Sequence, residues 1–173
     1  RITNLIIKRL FGTLTGKKIV ILGFAFKGNT NDTRESAAIQ ICKDLLSEGA
    51  VIYIHDPKVK SEQIALDLNM SPYKKEHNKT FNSNIEGTWQ SVKDINEAFI
   101  GADAGLILTE WASFKKIDWE AISKVMREPS WLFDSRSIID PNTIANTNLN
   151  LFSVYVWQKQ TSKLMFGSYP YPG

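Results

Sequence analysis

The charged and polar residues that directly follow apolar runs fall into four clusters: Phe26-Lys27, His55-Asp56, Thr109-Glu110-Trp111 and Asp134-Ser135-Arg136. A fifth cluster, Asp32-Thr33-Arg34-Glu35, opens a helical pattern. The chemistry these residue types offer is anion binding. An ammonium such as that of Lys27 neutralises a phosphate or supports a reacting oxygen. The planar fork of Arg136 suits a phosphate or sugar hydroxyls, or else an ordinary ion pair with Asp134 or Asp140. Asp32 and Glu35 have the spacing of a capping box, which places Arg34 in the first turn of a helix. A cation there opposes the helix dipole, at a cost of about 0.3–1 kcal/mol. Two readings of Arg34 stand: it holds a phosphate together with free helix N–H groups, or it pairs with a surface acid.

Other reactive types have plainer explanations. Cys42 shares an apolar helical stripe with Ala38, Leu45 and Leu46, so it is read as core filling and not as a nucleophile. His55 closes an apolar run. One cysteine and two histidines, His55 and His77, leave no basis for a disulfide framework or a Cys- or His-rich metal site. The five tryptophans are read as packing residues, with Trp111 on the edge where ligands would sit.

The elements that must position these clusters follow from periodicity. Residues 2–11 have the apolar spacing of an amphipathic helix, broken at Gly12 and Gly16. Lys17 to Phe26 and Ala50 to His55 hold continuous apolar runs, the signature of strands buried on both faces. Between them, Arg34 to Glu48 reads as a helix stopped by Gly49. Ser61 to Leu68, Lys93 to Ile100 and Ser113 to Arg127 read as further helices, the last with Phe114, Ile117, Ile122 and Val125 facing inward. Residues 69–87 read as a surface loop. Strands are expected at Trp89–Val92, Ala104–Thr109, Trp131–Phe133 and Leu151–Trp157, with a helix starting at Asp140-Pro141.

This alternation predicts an α/β, Rossmann-like three-layer sandwich with a mainly parallel sheet of five to six strands, preceded by the end of a long helix. The expected division is a helix end over 1–11, one domain over 12–167 and a loose tail over 168–173. In open sheets of this kind ligands bind beyond the carboxyl ends of the strands, where four of the clusters stand. The first strand leads into Gly23-Phe-Ala-Phe-Lys-Gly28, which is not the G-x-G-x-x-G of a dinucleotide site. A G-x-x-x-x-G-K-[ST] loop is also absent.

The net charge of +3, with bases scattered in pairs such as Lys17-Lys18, argues against a nucleic-acid surface. No apolar run is long enough to span a membrane. The expected compartment is cytoplasmic. The start at Arg1, inside a helical pattern and without an initiator Met, is expected of a piece of a longer protein.

The segment Gly16-Lys-Lys-Ile-Val-Ile-Leu-Gly-Phe-Ala-Phe-Lys27, followed by Thr30-x-Asp32-Thr-Arg34-Glu-Ser36, resembles the C-terminal UDP-binding domain of the UDP-glucose/GDP-mannose dehydrogenase family, in its UDP-glucose 6-dehydrogenase branch. His55-Asp-Pro-Lys58, Leu108-Thr-Glu-Trp111 and Phe133-Asp-x-Arg136 extend the resemblance in order to about residue 157. The resemblance implies oxidation of UDP-glucose to UDP-glucuronate in two hydride-transfer steps with NAD, in a homodimer or larger homo-oligomer. Most NAD contacts and the catalytic cysteine would lie in an N-terminal domain, and the UDP-sugar in a cleft between domains. By the same resemblance, Phe26, Lys27 and Arg136 meet the substrate, Arg34 reaches the NAD, and no catalytic residue lies in this chain, which alone should be inactive. Two departures stand out: Ser135 replaces a common glycine, and Ser137 replaces a second basic residue. A glycine needing positive φ there would make Ser135 a point of strain. The alternatives are a GDP-mannose or UDP-N-acetyl-sugar dehydrogenase domain and a non-catalytic nucleotide-binding or assembly module.

Overall fold

The computed structural model describes residues 2–74 and 86–153. Six strands form one sheet: β1 (Lys18–Leu22), β2 (Val51–His55), β3 (Thr88–Ser91), β4 (Ala104–Ile107), β5 (Trp131–Asp134) and β6 (Asn150–Ser153). Their order is β3-β2-β1-β4-β5-β6 and every pairing is parallel. This is the doubly wound order, in which the chain reverses its direction of travel across the sheet between β1 and β4. All four residues of β4, and Ile19 to Leu22 of β1, are buried, so both faces of the sheet centre are covered. The run read as a two-sided strand at β1 is therefore the middle of the sheet, whereas β2, read the same way, leaves Val51, Tyr53 and His55 only half-buried.

Among the described residues five α-helices flank it: α1 (Ile2–Arg9), α2 (Ala37–Ser47), α3 (Ser61–Leu68), α4 (Ile95–Phe99) and α5 (Trp119–Val125). α2 packs against α1 and α3, and α4 against α5. Ile6 of α1 and nearby Leu10 are buried in the same core as the strands. The Arg9 guanidinium lies 5.2 Å from the centroid of the Trp131 ring, which ties α1 to β5. Gly49, at φ 83°, ends α2 as its sequence position predicts. The expected strand at Leu151–Trp157 is present as β6; residues 154–157 and the tail 168–173 lie outside the described residues, as does most of the loop 69–87.

The helix expected from Asp140-Pro141 is only a 3-10 turn (Pro141–Thr143), and three further features differ from expectation. α2 starts at Ala37, with Ser36 as its N-cap, and not at Arg34. The Ser36 hydroxyl accepts from Ala38 N and donates to Phe24 O at 2.7 Å, a buried long-range bond that the local Asp32/Glu35 spacing does not encode. Glu35 has φ 59°, which a helical turn cannot contain. The helix expected over Ser113–Arg127 is a 3-10 segment (Ala112–Lys116) followed by α5. Asp118 caps α5 by accepting from Ala121 N, so a new start signal interrupts what periodicity alone joined. As a result Phe114 and Ile122 are buried, but Val125 is exposed. Finally, Lys18 is not simply solvated. Its ammonium donates to Ile100 O at 2.8 Å and lies 4.2 Å from the centroid of the Tyr53 ring. Burial lowers its pKa, against an opposing pull from Glu97.

Gly23, at the end of β1, has φ 93°, and a Cβ there would overlap the Thr109 side chain and crowd Thr109 N at 2.9 Å. Gly23→Ala should lower unfolding stability by about 3 kcal/mol, from left-handed strain and overpacking together. Urea denaturation checks this, and a change below about 0.5 kcal/mol would show that the two strand ends can separate without cost.

Candidate functional site

The carboxyl end of the sheet at the β1/β4 reversal is built from three loops. The first follows β1. Its backbone cannot continue a strand ladder, so its polar groups find other partners. The carboxylate of Asp56, just after β2, accepts from Phe24 N at 2.7 Å and Ala25 N at 3.0 Å. The same side chain accepts from Lys58 N and Val59 N, both at 2.9 Å. The carbonyls of Phe24 and Ala25 accept from the Ser36 and Thr109 hydroxyls, each at 2.7 Å. Phe26 N donates to Asp32 O at 3.0 Å. With its main chain thus fixed, the loop presents Phe26 and Lys27 outward, with the Lys27 ammonium 5.3 Å from the centroid of the Phe26 ring.

The second loop follows β4. Thr109 is fully buried and Glu110 exposed. The Trp111 ring is only 6% exposed, so it packs and offers no stacking surface. The third loop follows β5. Asp134 is buried and accepts from Arg136 N at 3.1 Å and Ile139 N at 2.8 Å. Of the two readings of Arg136, the ordinary ion pair with Asp134 or Asp140 is not formed. Instead Arg136 Nε donates to Leu108 O at 2.9 Å and lies 3.4 Å from Glu110 Oε2, while Nη2 donates to Phe26 O at 3.3 Å. Asp134 is occupied with main-chain donors, which leaves the guanidinium to bridge the other two loops.

Ser135 is not a strained position: the positive-φ residue of this loop is Ser137, at 55°. The Ser135 hydroxyl instead donates to Ile107 O at 2.7 Å, a bond that glycine could not make.

Phe26, Lys27 and Arg136 therefore meet at one edge. Arg34 stands apart on the segment before α2. It grips Asp32 with Nε to both oxygens and Nη2 to Oδ2 at 2.7 Å, while its side chain is 88% exposed. Its sequence placement in a helical first turn is overturned, because the helix starts later. Sequence reasoning sets Asp56, Thr109 and Glu110 at strand ends but gives them no role; Asp56 and Thr109, together with Ser36, fix the first loop. An acid or hydroxyl just past an apolar run was the available signal. Cys42 is buried and its thiol pKa is raised by burial, so it has no thiolate character. His55 directs Nδ1 to Val92 O at 3.0 Å. Among the described residues no three His, Cys, Asp or Glu gather as a metal site, and no helix is long and apolar enough to cross a membrane. A shallow depression of about 460 Å³, lined by Glu128, Pro129, Asn148 and Asn150, lies at the opposite, amino-terminal end of the strands.

Fold and site together define a doubly wound α/β domain whose strand-end edge carries cations and an exposed aromatic ring. Residues 20–141 match the UDP-glucose/GDP-mannose dehydrogenase family, UDP binding domain, and the chain belongs to that family. UDP-glucose 6-dehydrogenase 2 of Oryza sativa subsp. japonica is 37% identical over 157 residues, 89% of this chain and 33% of that protein. The UDP-glucose 6-dehydrogenase of Gallus gallus is 47% identical over 140 residues, 81% of this chain and 27% of that protein. The chain thus spans a third or less of these relatives. In fold it is similar to a UDP-glucose dehydrogenase from Pyrobaculum islandicum, with TM-score 0.58 and 23% identity over 87% of this chain and 28% of that one. It is also similar to an NDP-N-acetyl-D-galactosaminuronic acid dehydrogenase from Methanosarcina mazei, with TM-score 0.64 and 20% identity over 88% and 27%.

The Asp32 carboxyl is held down at about 2, first by the Arg34 guanidinium and then by the Arg34 N–H. A depressed carboxyl stabilises its pair fully above the ordinary value of 3.8, and that contribution is lost as pH falls through about 2. Carboxyl NMR should give an Asp32 midpoint near 2 that rises in Arg34→Ala. A midpoint near the ordinary value in the unaltered chain would mean the pair is not formed in solution.

Proposed function

We propose that this chain is the UDP-sugar-binding C-terminal domain of an NAD-dependent UDP-glucose 6-dehydrogenase. In that reading the whole enzyme oxidises UDP-glucose to UDP-glucuronate in two hydride-transfer steps, and this domain alone is inactive. The observation that carries the reading is the meeting of Phe26, Lys27 and Arg136 at the β1/β4 edge, within a chain of the UDP-binding family. Lys27 supplies a mobile point charge to the substrate, and Arg136 a fixed fork whose main-chain bonds pre-set its direction. Phe26 offers an exposed ring beside them.

The turn after β1 does not fit a dinucleotide. The N–H groups of Phe24 and Ala25, the ones nearest the strand end, are already bonded to Asp56. Gly23 serves the approach to Thr109 and not that of a pyrophosphate. We therefore assign the main NAD contacts to an N-terminal domain and only Arg34 to this chain. Its exposure suits a side chain reaching across a cleft. Residues 1–11 are read as the end of the helix joining the two domains, 12–167 as the binding domain and 168–173 as a tail. A soluble cytoplasmic homodimer or larger homo-oligomer completes the proposal.

Calorimetric titration of the chain with UDP-glucose should show binding that exceeds that of GDP-mannose and of NAD. Arg136→Ala should weaken it by roughly tenfold, the scale of one charge-assisted hydrogen-bonded contact. Equal affinity for all three ligands, or an Arg136→Ala variant that binds as well as the parent, would refute the assignment of this edge to the substrate.

A further inference from the structure

Glu110 stands among the groups assigned to the ligand but has no role yet. One carboxylate oxygen accepts from Gly28 N at 3.4 Å, and the other lies 3.4 Å from Arg136 Nε. The two loops are held together without it. A Cβ on Gly28 would come within 2.5 Å of Glu110 O, so the main chains are already in close contact. Arg136 is anchored by Leu108 O and Phe26 O. Both contacts of the carboxylate are longer than well-formed hydrogen bonds, and its side chain is 42% exposed. The carboxylate is thus a weak strut. Its stronger effect is electrostatic, since it cancels part of the Arg136 charge at the point where an anion would approach.

We propose that Glu110 is an internal counter-ion of the ligand edge. It occupies the Gly28 N–H and the Arg136 guanidinium while no anion is bound, and gives them up to phosphate oxygens when one arrives. The identity of that anion as a nucleoside diphosphate sugar rests on the reading above. A phosphate makes shorter, charge-assisted bonds than a loosely held exposed carboxylate, so the exchange runs toward the ligand. A neutral sugar cannot drive it, so the device favours anionic ligands over sugars alone.

The test is titration of the chain with inorganic pyrophosphate and with UDP-glucose, followed by calorimetry and by the Gly28 amide resonance. Glu110→Gln keeps the shape and removes the charge. It should tighten both ligands roughly three- to fivefold, the scale of an exposed ion pair. A structural role would instead weaken binding. In an Arg136→Ala background the gain should vanish. Unchanged or weaker binding of both ligands by Glu110→Gln overturns the proposal, as does the absence of any pyrophosphate binding in either form. Tightened pyrophosphate with no preference for UDP-glucose leaves the counter-ion standing and removes the nucleotide-sugar reading.

Discussion

The constraint on which the rest depends is how the chain leaves β1. A central parallel strand ends in the protein interior, and the next main-chain groups must be satisfied there or the strand cannot end at that point. The Asp56 carboxylate takes the two N–H groups, and the Ser36 and Thr109 hydroxyls take the two carbonyls. These four bonds link β1 to the loop after β2, the start of α2 and the end of β4. The start of α2, the spacing of β1 from β4 and the outward turn at Phe26 and Lys27 follow from them. Gly23 is the steric condition for the same arrangement, because no side chain fits between it and Thr109.

A repeated device runs along this edge. Asp56 and Asp134 both stand at or just past a strand end, and each receives main-chain N–H groups from its own loop. Asp134, the nearest acid in sequence to Arg136, is therefore used to shape a loop, as is Asp56. That leaves Arg136 to span the first and second loops, and it leaves the first turn with its leading N–H groups already bonded. The same fold that elsewhere cradles a pyrophosphate at this turn has here closed the cradle from within. In the proposed function, recognition then falls to side chains at the rim, as suits a domain that takes the substrate half of a shared cleft.

Much of this was legible in the sequence. The strands β1 and β4 were visible because two-sided burial leaves unbroken apolar runs, β2 because its run is apolar although alternate residues are only half-buried, and the parallel α/β class follows from their alternation with helices. The candidate edge was legible because charged residues directly after such runs stand at strand ends. What sequence reasoning misjudged is what depends on contacts far along the chain. Asp32 and Glu35 satisfy a local capping pattern, but Ser36 wins because its hydroxyl also reaches Phe24 O. The split between the 3-10 segment and α5 turns on Asp118 as a cap within one continuous apolar period. Ser135 looked like a source of strain when judged by its glycine counterpart. The structure moves the positive φ to Ser137 and gives the Ser135 hydroxyl a carbonyl partner.

The central claim is that ligand recognition lies at the β1/β4 edge. Amide chemical-shift mapping of the chain during addition of UDP-glucose tests it most directly. The account predicts shifts concentrated in residues 23–28, 108–111 and 134–137, with β3 and α3 unmoved. Shifts centred instead on Glu128, Asn148 and Asn150, at the amino-terminal end of the strands, would contradict it.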